Sequence, residues 1–247
     1  MPLNDVPAQD TAKEENVLIY VTGDTHGNQA RFLDGKWDSL LTAEDTLIVC
    51  GDFGYVFDND SSENRFLDYL EKRPYNICFL DGNHENFPVI FEYPEIVWNG
   101  GKVHQIRRNI YHLMRGQVFS IEGKTIFTMG GAYSIDRSWR RLNESYWNEE
   151  LPCDAEYKEA VRNLQAHDFK VDFILTHTAP DSMIYQLCCL EKLHMLPRRG
   201  TDAELTGFLE WVKRETTFRH WYFGHWHIDR NITERFTALL FDTKMLI

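Results

Sequence analysis

Five short segments of the 247-residue sequence carry side chains suited to holding metal ions. They are Asp24-Thr25-His26, Asp52 behind Gly51, Asn83-His84 behind Gly82, His177, and His225-Trp226-His227 behind Gly224. Each is weak alone. An Asp-x-His is a common polar turn, Asp52 could cap a turn or helix, Asn83-His84 could close a turn, and a single histidine at a strand end is more often structural. His225 and His227 say more, because residues i and i+2 of an extended segment point the same way. Together the segments offer three oxygen donors (Asp24, Asp52, Asn83) and four imidazoles (His26, His177, His225, His227). That is more than one tetrahedral or octahedral ion needs, and it suits two ions sharing a bridge. A mixed nitrogen and oxygen set without sulfur favours divalent or trivalent transition metals, manganese first with iron or zinc as alternatives, over calcium or magnesium. Two divalent ions, two aspartates and a bridging hydroxide leave a net positive charge, which can draw an anion such as a phosphate ester.

These segments need strands to position them, and each follows one. VLIYVT precedes Gly23-Asp24, TLIVC precedes Gly51-Asp52, ICFLD precedes Gly82-Asn83, FILT precedes His177, and HWYF precedes Gly224-His225. Short runs rich in β-branched and aromatic residues predict buried strands over 17–22, 46–50, 77–80, 171–176 and 221–223. The carboxyl ends of such strands are where α/β sheets place their sites, and the adjoining glycines allow close backbone approach. Leu33, Trp37, Leu40 and Leu41 share one helical face. So do Tyr157, Ala160, Val161 and Leu164 behind an Asp154 cap, and Leu205, Phe208, Leu209 and Val212 behind a Thr201-x-x-Glu204 capping box. Residues 117–121 and 125–129 predict a hairpin, and further strands follow Ile228. Alternating strands and helices followed by paired strands predict an α/β protein with mixed sheets.

With 26 Lys+Arg against 38 Asp+Glu the net charge is −12, which argues against a basic face for bulk nucleic acid. The apolar runs are too short to span a bilayer, and residues 1–16 lack a signal-peptide core, so a cytoplasmic protein without a membrane partner is expected. The five cysteines have no CxxC spacing and imply neither a disulfide framework nor a thiolate metal site. Residues 1–16 are expected to form a polar, disordered tail, and 17–247 a single domain.

In this order, D-x-H, GD, GNH[DE], H and GHxH, the blocks resemble the calcineurin-like metallophosphoesterase superfamily from Val17 to His227. The resemblance implies a four-layer α/β/β/α sandwich with two mixed sheets and a dimetal centre at the strand ends. It implies that Asp24, His26, Asp52 and His227 hold one metal, and that Asp52 bridges to a second held by Asn83, His177 and His225. His84 matches the catalytic histidine, which is not a ligand; the alternative is a group that orients its neighbours without moving a proton. The implied activity is a metal-dependent phosphoric ester hydrolase, a phosphomonoesterase working by in-line attack of a metal-bridging hydroxide. A phosphodiesterase acting on a cyclic nucleotide or nucleic-acid end is the alternative, and a metal-bearing scaffold without turnover is the reading from another class.

GDTHG and GNHE also approach the wording of protein serine/threonine phosphatases. Those, however, extend the second block as GDxVDRG, and here Tyr55 and Val56 stand in place of the Asp that partners the histidine and the Arg that grips phosphate. A replacement arginine is sought behind Gly130-Gly131, with Arg137 preferred and Arg140 in reserve. The competing expectation pairs Arg137, Arg140 and Arg141 with Asp136, Glu144 and Glu149. Trp139, Tyr146 and Trp147 could stack a base or belong to the core.

Overall fold

The computed structural model describes residues 17–193 and 202–247. The expected tail over 1–16 and Thr201 of the expected capping box lie outside the described residues.

The strands sort into two mixed sheets. One contains β1 (Ile19–Thr22), β2 (Thr46–Val49), β3 (Asn76–Phe79), β4 (Glu95–Trp98), β5 (Gly101–Arg107), β6 (Ile110–Leu113) and, from the far end of the chain, β13 (Thr243–Met245). Its spatial order is β13-β1-β2-β3-β6-β5-β4. The other contains β7 (Val118–Ile121), β8 (Lys124–Met129), β9 (Phe173–Thr176), β10 (His220–Phe223), β11 (Arg230–Thr233) and β12 (Phe236–Ala238), ordered β11-β12-β10-β9-β8-β7. In the first sheet β1, β2 and β3 run parallel with their last residues level: Thr22 faces Val49, and Val49 faces Phe79. In the second, Met129 faces Thr176 and Thr176 faces Phe223. Both sheets therefore release their loops at matched heights.

Side-chain alternation explains the layering. Along β1 to β3, Ile19, Val21, Ile48 and Cys78 turn inward to a core shared with Phe119, Ile126, Phe173, Leu175 and Tyr222 of the second sheet. The intervening Tyr20, Leu47, Val49, Ile77 and Phe79 turn outward, under helices α1 (Ala30–Leu33), α2 (Lys36–Leu40), α3 (Ser61–Leu70) and α4 (Phe87–Ile90). On the other side Phe127, Met129, Ile174, Trp221 and Phe223 pack under α5 (Asp154–Ala166), α6 (Asp181–Glu191) and α7 (Ala203–Glu215). Both faces of these strands are buried, which is why they read as continuous apolar runs rather than alternating ones. Each fully buried large apolar side chain contributes about 1.5–3 kcal/mol.

Several expectations need correction. The helical face through Leu33, Trp37, Leu40 and Leu41 is broken in two at Gly35, whose φ is 73°; Trp37 and Leu41 are buried while Leu33 and Leu40 are exposed. Asp154 is the first residue of α5 rather than its cap. The cap position is Cys153, whose N–H is bound at 2.7 Å by Glu156. Trp147 is buried, 5.8 Å from the Phe57 ring, whereas Trp139 is exposed. Helices α3 and α6 and strands β4, β5 and β6 carry no expectation from the sequence. No described helix is long and apolar enough to cross a membrane.

Candidate metal centre

Asp24 and His26 follow β1, Asp52 follows β2, Asn83 and His84 follow β3, His177 follows β9, and His225 and His227 follow β10. The first sheet thus supplies both aspartates and the second supplies three of the four imidazoles. They meet where the level strand ends of the two sheets come together. Asp24 Oδ2, His26 Nε2, Asp52 and His227 Nε2 can each offer one donor atom within 4.8 Å of the others. His227 Nε2 lies 3.2 Å from Asp24 Oδ2 and 2.9 Å from His26 Nε2, and His26 Nε2 lies 3.7 Å from both Asp24 Oδ2 and Asp52 Oδ2.

The other oxygen of Asp52 faces the opposite way. His177 Nε2 is 3.4 Å from Asp52 Oδ1 and 3.2 Å from Asn83 Oδ1, and the His225 ring packs 5.0 Å from that of His177. His177 Nδ1 donates to the Cys50 carbonyl at 2.8 Å, which fixes the ring with Nε2 toward the site. The floor is closed and the mouth open: the aspartate side chains are 0% and 1% exposed, those of His26 and His227 34% and 54%.

Local backbone geometry makes this convergence possible. A Cβ on Gly82 would overlap Asp52 Oδ1, and one on Gly224 would overlap Asp24 Oδ1, so only glycine admits the carboxylates at these strand ends. His26, Asp52, His225 and His227 have φ of 46°, 49°, 66° and 51°. Such left-handed conformations cost about 1–3 kcal/mol each and mark a site whose surroundings impose them. They also correct the expectation for His225-x-His227. The segment is not extended, so the two rings diverge, His227 toward Asp24 and His26, His225 toward His177.

The electrostatics suit cations. Among the described residues, no lysine or arginine lies within salt-bridge distance of Asp24 or Asp52; both pair only with histidines. Buried carboxylates without a fixed cation need a metal or protonated imidazoles. Burial alone would raise the Asp52 pKa, but His177, with His84 and His26 behind it, holds it far below the ordinary carboxylate range. Burial would lower His177, yet Asp52 against it raises it to about 10. The donor chemistry fits transition-metal ions, with Asp24, His26, Asp52 and His227 on one side and Asp52, Asn83, His177 and His225 on the other.

His84 sits beside this set. Its backbone N–H donates to Asp52 Oδ1 at 2.8 Å, and its ring lies edge-on to His26 at 5.3 Å. Burial lowers its pKa, Arg140 adds to that, and Asp52 opposes it. Arg140 Nη2 lies against both ring nitrogens, 3.1 Å from Nε2, while its Nε donates to Asp136 at 2.9 Å.

Arg137, preferred from sequence, is turned elsewhere. Its Nη2 and Nε donate to Glu150 Oε2 at 2.8 and 3.2 Å, and its guanidinium lies over Tyr133 and Tyr146. Of the two arginines, it is Arg140 that lies beside His84. The short 3₁₀ turn over Arg137–Trp139 carries Arg140 round to His84. Arg141 pairs with Glu144 at the surface. Tyr55 and Val56 are buried among the aromatics under β2, with Tyr55 donating to the Asn28 carbonyl at 2.6 Å, so neither side chain serves the site. Sequence reasoning also passed over Ser134, whose Oγ accepts from Asn83 Nδ2 at 2.9 Å; its place in the loop behind Gly130-Gly131 was the available signal.

This is the fold and donor set of a metal-dependent phosphoric ester hydrolase. Residues 17–229 match the calcineurin-like phosphoesterase family, and the chain belongs to it. No curated protein matches the chain. Among solved structures, a protein serine/threonine phosphatase from Saccharomyces cerevisiae, described as similar to human phosphatase PP5, is 14% identical. It covers 93% of this chain and 68% of its own, with a TM-score of 0.35, too distant a likeness to carry an argument.

Proposed function

We propose that the chain is a phosphomonoesterase with two transition-metal ions, manganese first among them, shared through Asp52. The observation that supports this most is Arg140, a guanidinium held against His84 at the mouth of the Asp52 cluster. Two ions bound there would supply Lewis-acid stabilisation of phosphoryl oxygens and a water acidic enough to act as nucleophile near neutral pH. A monoester dianion would keep an oxygen free of the metal-holding residues, and Arg140 would offer it a forked donor. Asp136 accepts from Arg140 Nε and keeps the fork aimed at His84. His84, held by its backbone at Asp52, moves the proton to the leaving oxygen. Asp52 turns one oxygen to each half of the donor set, so this one carboxylate could serve ions on both sides.

The test is hydrolysis of p-nitrophenyl phosphate and bis-p-nitrophenyl phosphate by the Mn²⁺-loaded protein. A higher kcat/KM for the monoester supports the reading. Preference for the diester assigns a phosphodiesterase instead, and two bound ions without turnover on either substrate assign a scaffold.

A further inference from the structure

A primary amide is nearly symmetric in shape, but only its oxygen can hold a cation. Asn83 thus reaches the second metal position in the right sense only if something selects the orientation of its amide. Beside its nitrogen stands Ser134, buried, whose Oγ lies 2.9 Å from Asn83 Nδ2. A hydroxyl can donate or accept, so alone it would tolerate either end of the amide. Here its proton has an acceptor, the backbone carbonyl of Asn83 itself at 3.4 Å, which leaves the Oγ lone pairs for Nδ2.

Ser134 is fixed in turn. Its N–H donates to Glu150 Oε2 at 3.2 Å, the same oxygen that receives the fork of Arg137. The Glu150 carbonyl accepts from Ala132 N at 3.1 Å, so residue 150 grips the loop by both backbone and side chain. Glu150 is fully buried. A buried carboxylate is tolerated only with such partners, and the guanidinium over Tyr133 supplies the countercharge.

We propose that Ser134, locked by Glu150 and Arg137, is a positioning residue that orients the Asn83 amide with its oxygen toward the second metal position. The inference rests on the two-metal reading above. It also gives Arg137 a task away from phosphate. Residues that orient metal ligands in this way typically carry 10–100-fold in affinity.

The test is calorimetric titration of metal-stripped protein with Mn²⁺. Wild type is expected to bind two ions, and fewer than two would sink the two-metal reading itself. Ser134→Ala should weaken one site about 10–100-fold and leave the other unchanged. Arg137→Ala should shift the same site in the same direction by less. The decisive arm repeats Ser134→Ala in an Asn83→Asp background. A carboxylate has oxygen at both ends and needs no orienting, so there the serine should cease to matter. Two ions bound to Ser134→Ala with wild-type affinity would overturn the inference alone. So would equal weakening of both sites, or an undiminished effect of Ser134→Ala in the Asp background.

Discussion

Asp52 is the side chain whose loss should be felt on both sides of the site, since Oδ2 faces His26 and Oδ1 faces His177. Asp52→Asn keeps its volume and removes its charge. Bound Mn²⁺ measured by elemental analysis should fall to one ion per chain or fewer, whereas His225→Ala should spare the Asp24 side. His84→Ala should leave metal content intact and lower kcat by about 10²–10⁴-fold, more for alkyl than for nitrophenyl esters, because poor leaving groups need the proton most. Equal losses on both substrates would remove the proton-donor role. Arg140→Ala should cost roughly 2–4 kcal/mol of transition-state stabilisation, and Arg140→Lys should restore part of it, since a point charge lacks the fork. Unchanged kcat/KM in Arg140→Ala would place the residue outside the reaction. The choice between Arg137 and Arg140 was not legible in the sequence. Both lie behind the same glycines, and only the 3₁₀ turn between them decides which faces His84 and which finds the buried Glu150.

The loop between β8 and α5 is held from below by a buried charge cluster. Asp81, at the end of β3, receives Arg115 Nε at 2.8 Å and faces His112 Nε2 at 3.1 Å, while Arg115 Nη2 reaches the Glu149 carbonyl at 2.6 Å. Arg115→Met would free that carbonyl and leave Asp81 buried without its main partner. Breaking such a pair costs about 3–5 kcal/mol, read from urea unfolding, and the loop carrying Ser134 and Arg140 should become more accessible to protease. The strands that deliver ligands were legible because each is buried on both faces and stops at a polar block. Strand β4 was not, being an edge strand whose side chains alternate between exposed and half-buried, and the polar side chains of Lys102, His104 and Arg107 interrupt the apolar signal in β5. Helix α3 hides because its polar face dominates its composition. Its start is nevertheless marked by Asp60, which accepts from the N–H groups of Ser62 and Glu63 at 2.8 Å each.

The same cluster gives the fold an acid limit. Burial alone would raise the Asp81 pKa, but Arg115 and His112 hold it below the ordinary carboxylate range. A depressed carboxylate contributes stability that is fully present above its unfolded pKa, about 3.9, and is lost as pH falls through the folded value. Metal-free wild type should therefore lose stability on acidification below about pH 4 more steeply than Asp81→Asn, which starts lower at neutral pH. Parallel stability curves for the two would refute the assignment. The layering has another consequence. Asp24 and His225 touch across 201 positions of sequence, and β13 comes from the end of the chain to flank β1. A ribosome that has passed His84 has made only the first sheet's share of the donor set. The other half arrives with β9 and β10, so the full donor set exists only once the second sheet has docked onto the first.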